Sequence, residues 1–247
     1  ADKGYVGHKA SKMMKRSKAI EARCEEAIAE KRSLLRHVER MDELKISPLS
    51  HHSDVLVRLN DVAPCYEGRM VCAPLSAKIR QGERVCLSGR NGCGKSSLLK
   101  VIMGEQIAHT GTVELASGLV ISCVPQDASF LCGLPGAYAK QLGIDESLFK
   151  ALLRKMGFAR ADFEQEMSGY SDGQKKKVLI AGSLCQQAHL YIWDEPLNYI
   201  DVISRMQIES LLRRDAPTML IVEHDQAFQE LIDGRILQMH AGKEGQE

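Results

Sequence analysis

Between Gly89 and Ser96 the chain reads Gly-Arg-Asn-Gly-Cys-Gly-Lys-Ser, a full match to the spacing GxxxxGK[ST]. Glycines so placed let the backbone curl until successive N–H groups point inward at phosphate oxygens. Lys95 supplies a cation for the outer phosphates of a nucleotide, and Ser96 a hydroxyl suited to Mg²⁺. Gly89, Asn91, Gly92, Gly94 and Ser97 complete the candidate cradle. A second run, Leu190-Tyr191-Ile192-Trp193-Asp194-Glu195, is an apolar strand ending in two acids. Such a strand delivers Asp194 beside a magnesium ion. Glu195, one residue on, is placed to polarise an attacking water as general base.

Both runs need elements to hold them. A strand-like Arg84–Leu87 precedes the glycine loop and a helical Ser97–Met103 follows, bringing the positive end of a helix to the phosphates. Further short β-like runs at Val55–Leu59 and Leu119–Val124 alternate with helical stretches, which predicts an α/β domain with a mainly parallel sheet. The segment Asp145–Glu166 reads as a helical insertion in that core. Ahead of the domain, residues 1–46 lack Pro and, after Gly7, Gly. Apolar or small residues recur there at Met13, Ile20, Cys24, Ala27, Leu34, Val38, Met41 and Leu44, the rhythm of one long helix stripe. Ile46–Ser53 reads as a linker.

At this point the sequence resembles the ATP-binding-cassette (ABC) ATPase family. Tyr170-Ser171-Asp172-Gly173-Gln174 stands where that family carries its signature, Val124-Pro125-Gln126 where it has its Q-loop, Asn198–Asp201 at its D-loop and Val222–Asp225 at its switch histidine. The resemblance implies ATP and Mg²⁺ as ligands. It also implies Gln126 touching the metal or the lytic water, His224 at the γ-phosphate, and Tyr66 stacking on adenine. Ser171, Gly173 and Gln174 are implied to serve ATP held by a partner domain. Taken alone, Tyr66 near a strand reads equally as structural, His224 as an ordinary histidine and Gln126 as an ordinary loop residue. Their order relative to Lys95 and Glu195 is what raises His224 and Gln126 to site residues. Asp172 departs from the family pattern, which has glycine there.

Composition narrows the class little. The 247 residues hold 33 Lys plus Arg against 32 Asp plus Glu, so net charge alone argues for no anionic partner. Eight cysteines lie without a CxxC pair, which predicts small buried hydrophobes in a reducing compartment. With no bilayer-length apolar run and no secretory signal, the chain is expected to be soluble and cytoplasmic.

The wording of Gly173–Ser204, the run Lys175-Lys176-Lys177 and the opening Lys3–Lys18 resemble the ABC-F branch of the Lsa/Vga antibiotic-resistance type. That resemblance implies domains at 1–50 (part of an interdomain linker helix) and 51–247 (an ABC ATPase domain with a helical subdomain near 128–178). A small antiparallel β part would accompany the parallel core. It implies a second cassette and first linker helix upstream of Ala1, or a homodimer partner, and weak turnover by a lone half. The function implied is ribosomal protection against lincosamide, streptogramin A and pleuromutilin drugs, with no membrane partner. Lys9, Lys12, Lys15, Arg16 and Lys18 read as a solvated helix face or as contacts to rRNA or tRNA phosphates. Two other functions stay open: the ATPase subunit of an ABC transporter, and a nucleotide-gated translation regulator with little catalysis.

Overall fold

The computed structural model describes residues 44–242, all within one compact unit. The apolar stripe from Met13 to Met41 and the basic run from Lys9 to Lys18 lie outside the described residues. Leu44, expected to end the helical stripe, has non-helical backbone and is buried with Ile46 in the core. Leu49 N–H donates to Ala188 O at 2.8 Å. The expected linker is therefore packed onto the domain from Leu44 onward.

Two sheets organise the unit. In the first, β1 (Val55–Tyr66) pairs antiparallel with β2 (Arg69–Met70), β3 (Leu75–Arg80) and β5 (His109–Leu115). The second is wholly parallel: β4 (Arg84–Ser88), β6 (Ile121–Val124), β7 (Leu190–Asp194), β8 (Met219–Val222) and β9 (Arg235–Gln238), in the order β6-β7-β8-β4-β9. The expected parallel core and small antiparallel part are both present.

The central strands β7 and β8 are buried along their whole length, because helices and a second sheet cover both faces, whereas the edge strand β9 is largely exposed. Alternate residues feed two cores. Cys86, Tyr191, Trp193, Met219 and Ile221 face one, while Val85, Leu87, Leu190, Ile192, Leu220 and Val222 face the other. The second core is closed by α1 (Lys95–Ile102) and by the antiparallel sheet through Leu56, Leu59, Val62 and Ile79. The first is closed by α3 (Glu146–Lys155), α4 (Asp172–Cys185), α5 (Val202–Asp215) and α6 (Gln226–Leu231), with the short α2 (Pro135–Gln141) contributing Ala139.

Differences from the sequence reading have local causes. The strand expected at Val55–Leu59 runs on to Tyr66 through a bulge, where Asp61 adopts φ 49° and Ser76 Oγ accepts its N–H at 2.8 Å. The polar pair Asn60-Asp61 breaks the alternation that marks a strand without ending the ladder. At Leu119–Val124 the strand starts only at Ile121, since Leu119 N–H closes a turn onto Ala116 O. Among the described residues no helix is long and apolar enough to cross a membrane. The seven described cysteines are free; Cys72, Cys86 and Cys93 are buried, but Cys132 is exposed.

Phe149 is fully buried in the helical core, where α3 meets α4. Phe149→Ala is expected to lower unfolding free energy by about 3–5 kcal/mol, read from the urea midpoint at unchanged slope.

Candidate functional site

The carboxyl ends of four parallel strands come level with one another. Val124 pairs with Trp193, and Val222 pairs with both Asp194 and Leu87. The next residues of each strand therefore emerge together: the glycine loop from β4, Gln126 from β6, Asp194 and Glu195 from β7, and Glu223 and His224 from β8. This edge is where open parallel sheets bind ligands.

The loop from Gly89 leads into α1 through Gly94, whose φ is 87°. A side chain at Gly94 would be strained, and its Cβ would come within 2.7 Å of Val71 Cγ2. Lys95 is buried and folds its ammonium over the loop, donating to Gly89 O at 2.9 Å and Arg90 O at 3.2 Å. Asn91, Gly92, Gly94, Lys95, Ser96, Ser97, Gln126 and Glu195 line one cavity of about 490 Å³. Gly89 does not line it and serves as a carbonyl partner of Lys95. Tyr66, at the end of β1, stands half-exposed at its rim with its hydroxyl 3.2 Å from Ser97 Oγ.

Glu195 gathers three side chains. Gln126 Nε2 donates to its Oε2 at 2.9 Å, Asn198 Nδ2 donates to the same oxygen at 2.7 Å, and His224 Nε2 lies 3.5 Å from Oε1. Its backbone sits at φ 47°, a left-handed turn held by its N–H to Val222 O. The other acids are deeper. Asp194 and Glu223 are buried, and burial pushes both carboxyls up from their usual range. The Ser96 hydroxyl beside Asp194 draws that group the other way. Asp194 Oδ1 has no hydrogen-bond partner among the described residues. A buried carboxylate oxygen without a donor, beside a serine hydroxyl, fits a hard divalent cation that prefers oxygen ligands. Ser96, Asp194 and Gln126 are the residues that would hold Mg²⁺.

Ser171, Gly173 and Gln174 do not line this cavity. They open α4, where Ser171 Oγ accepts from Gln174 N–H at 3.3 Å and Gln174 Oε1 accepts from Ser171 N–H at 3.1 Å, a capping box. Gly173 lies against the D-loop: a Cβ there would come 2.5 Å from Tyr199 O. Two contributors escaped the site list read from sequence. Asn198 belongs to a recognised loop, and its spacing of three from Glu195 across a turn was the available signal. Lys176 was read only as part of a basic run, yet it is 2% exposed and faces the acids.

Asp225, next to His224, caps α6 by accepting from Ala227 and Phe228 N–H and pairs with Arg205. The Arg205 guanidinium, chiefly, holds the Asp225 carboxyl below the usual range against a smaller burial effect. A depressed folded value means this stabilisation is complete above the ordinary carboxyl value near about 4 and fades as pH falls through the lower folded one. Asp225→Asn, which keeps a capping oxygen, should therefore be less stable than wild type at pH 7. Urea titrations repeated towards pH 3 should show the gap closing; a constant gap would contradict the ion pair.

Comparison with known proteins agrees with this geometry. The family described as ABC transporter matches residues 72–198, more than half the chain. The aliphatic sulfonates import ATP-binding protein SsuB of Delftia acidovorans is 32% identical over 198 residues, covering 76% of this chain and 80% of that protein. The ribosome protection protein VmlR of Bacillus subtilis (strain 168) is 28% identical over 180 residues, covering 70% of this chain but only 32% of that longer protein. In fold, the chain is similar to a bacterial Atm1-family ABC exporter solved with ATP bound, at TM-score 0.65 and 18% identity, over 86% of this chain and 42% of that one. With a glycine loop, a strand-end acid pair and the family's fold all in register, the chain belongs to the ABC transporter family and carries its ATP-binding domain.

Proposed function

We propose that this domain binds Mg-ATP on the loop Gly89–Ser97 and hydrolyses it with Glu195 as general base. The observation that carries the reading is the single cavity lined by Lys95, Ser96, Gln126 and Glu195. Lys95 trades its two carbonyl partners for the β- and γ-phosphates, and Tyr66 offers its exposed ring to the base. Glu195 holds the attacking water. Gln126 and Asn198, both donating to Oε2, fix the carboxylate's orientation, and His224 approaches from its other oxygen. Mg²⁺, when bound, supplies charge neutralisation at the phosphates.

The larger proposal is that the domain is the second cassette of an Lsa/Vga-type ABC-F protein, with 1–50 as linker and 51–247 as ATPase domain, acting on the ribosome in the cytoplasm. The wording of Gly173–Ser204 and the similarity to VmlR support it. In that setting Ser171 and Gly173 serve ATP held by the other cassette, and the linker lysines meet rRNA or tRNA phosphates. ATP binding then favours drug displacement, hydrolysis releases the factor, and a lone half turns over slowly. SsuB, matched over 80% of its length, favours a second reading as the ATPase of an importer.

Glu195→Gln should leave ATP affinity within about twofold while removing turnover, since it spares the loop but loses the base. The same variant, placed in the complete gene product, should co-sediment with ribosomes only when Mg-ATP is present. ATP-bound protein that ignores ribosomes and follows membranes would replace the ribosomal reading with the importer one.

A further inference from the structure

The lysines of the run 175–177 have different surroundings, because successive helix residues point about 100° apart. Lys177 donates to Met156 O at 2.6 Å and pairs with Asp201 at 2.5 Å. Lys176 turns into the domain. Its Nζ donates to Pro125 O and Gln126 O at 3.0 Å each and reaches Asp194 O at 3.5 Å. Three N–H donors thus meet three backbone carbonyls, two in the Gln126 loop and one at the strand end bearing the acids. Burial draws the Lys176 pKa down, while Asp194 first, then Glu195, Glu223 and Asp127, favour its charged form.

We propose that Lys176 is a positioning residue for hydrolysis, a buried clamp that fixes the Gln126 loop to the strand end carrying Asp194 and Glu195. The proposal deepens the ATPase reading and rests on it for its kinetic consequence, though not for its structural one. Val124 is the last residue of β6 to pair with β7, so the next two residues leave the ladder. Lys176 takes over their carbonyls at that point. The Gln126 side chain then meets Glu195 from a backbone tied to the same strand end.

The helix that carries Lys176 is well placed for this task. Farther along α4, Ser183 Oγ accepts from Trp193 Nε1 at 2.9 Å and lies 2.7 Å from Ser122 Oγ. That buried seam fixes α4 to β6 and β7, the same two strands whose ends Lys176 joins. Ser171 caps the start of this same helix, two turns or fewer before Lys176.

The test compares wild type with Lys176→Met, which keeps the length but has no donors, and with Lys176→Gln, which keeps two. Lys175→Met controls for the loss of one charge. Hydrogen exchange read by mass spectrometry should rise about tenfold at residues 125–129 in Lys176→Met, with β8 and the rest of α4 unchanged. A fluorescent ATP analogue should bind within about twofold of wild type, while kcat falls about tenfold. Lys176→Gln should fall between, and Lys175→Met should match wild type. Unchanged exchange at 125–129 would overturn the proposal. So would a rise spread over the whole domain, or a loss of ATP affinity as large as the loss of kcat, since either marks a merely structural lysine. A wild type that binds but never hydrolyses would count against the ATPase reading, and the exchange data would still decide the clamp.

Discussion

Parallel pairing in the central sheet is the constraint on which the rest depends. The central strands of the sheet are covered on both faces, so β7 and β8 have no exposed residue to spare for chemistry within the sheet. Function is displaced to where pairing stops. Because Val124, Trp193, Asp194, Val222 and Leu87 are tied to one another by register, a slip of one residue in β7 would do two things at once. It would exchange Trp193 and Ile192 between the two cores, and it would move Glu195 out of reach of Gln126 and His224. Packing and chemistry are therefore specified by the same hydrogen bonds.

The cost of this arrangement is electrostatic. Ending buried strands in acids places Asp194 and Glu223 where water cannot solvate them, and both carboxyls are pushed up as a result. Such a cluster is tolerable only if positive charge lies close by. Lys95 and Lys176 are both buried and both belong to helices that pack on the sheet. Lys95 gives its donors to carbonyls of the glycine loop, contacts that under the proposed function would change when phosphate binds. Lys176 gives its donors to carbonyls of the Gln126 loop and the β7 end. In sequence only Lys95 is marked out, by the glycine spacing ahead of it, while Lys176 reads as one of three consecutive lysines.

That contrast explains what the sequence disclosed and what it withheld. Short-range signals were legible: the glycine loop, the acid pair after an apolar run, and the alternation of strands with helices. They depend on local backbone demands, and the fold repeats them faithfully. Contacts formed across long separations were not legible. Nothing in the run 175–177 tells its middle lysine from its neighbours until helix geometry aims it at residues 125, 126 and 194. Leu44 failed for a related reason. Its spacing from Met41 fits a helix stripe, but it is buried in the helical core and its carbonyl accepts from Arg214 at 2.7 Å, far away in sequence. Periodicity sees an apolar face and cannot see what covers it. The bulge at Asn60-Asp61 was hidden by the converse effect, a polar interruption that the ladder absorbs.

The signature shows how local and distant demands divide between adjacent residues. Gly173 is confined by the D-loop carbonyl of Tyr199, so its lack of a side chain follows from packing inside this one domain. Asp172 is exposed in the first turn of α4, where a negative charge favours the positive end of the helix. The first glycine of the family pattern is thus free to change for the sake of this helix, and the second is not. Under the proposed reading, however, that turn faces phosphate held by another cassette, and there the same carboxylate is repelled. Asp172 thus favours the helix on its own, and only in the proposed assembly would its charge work against phosphate.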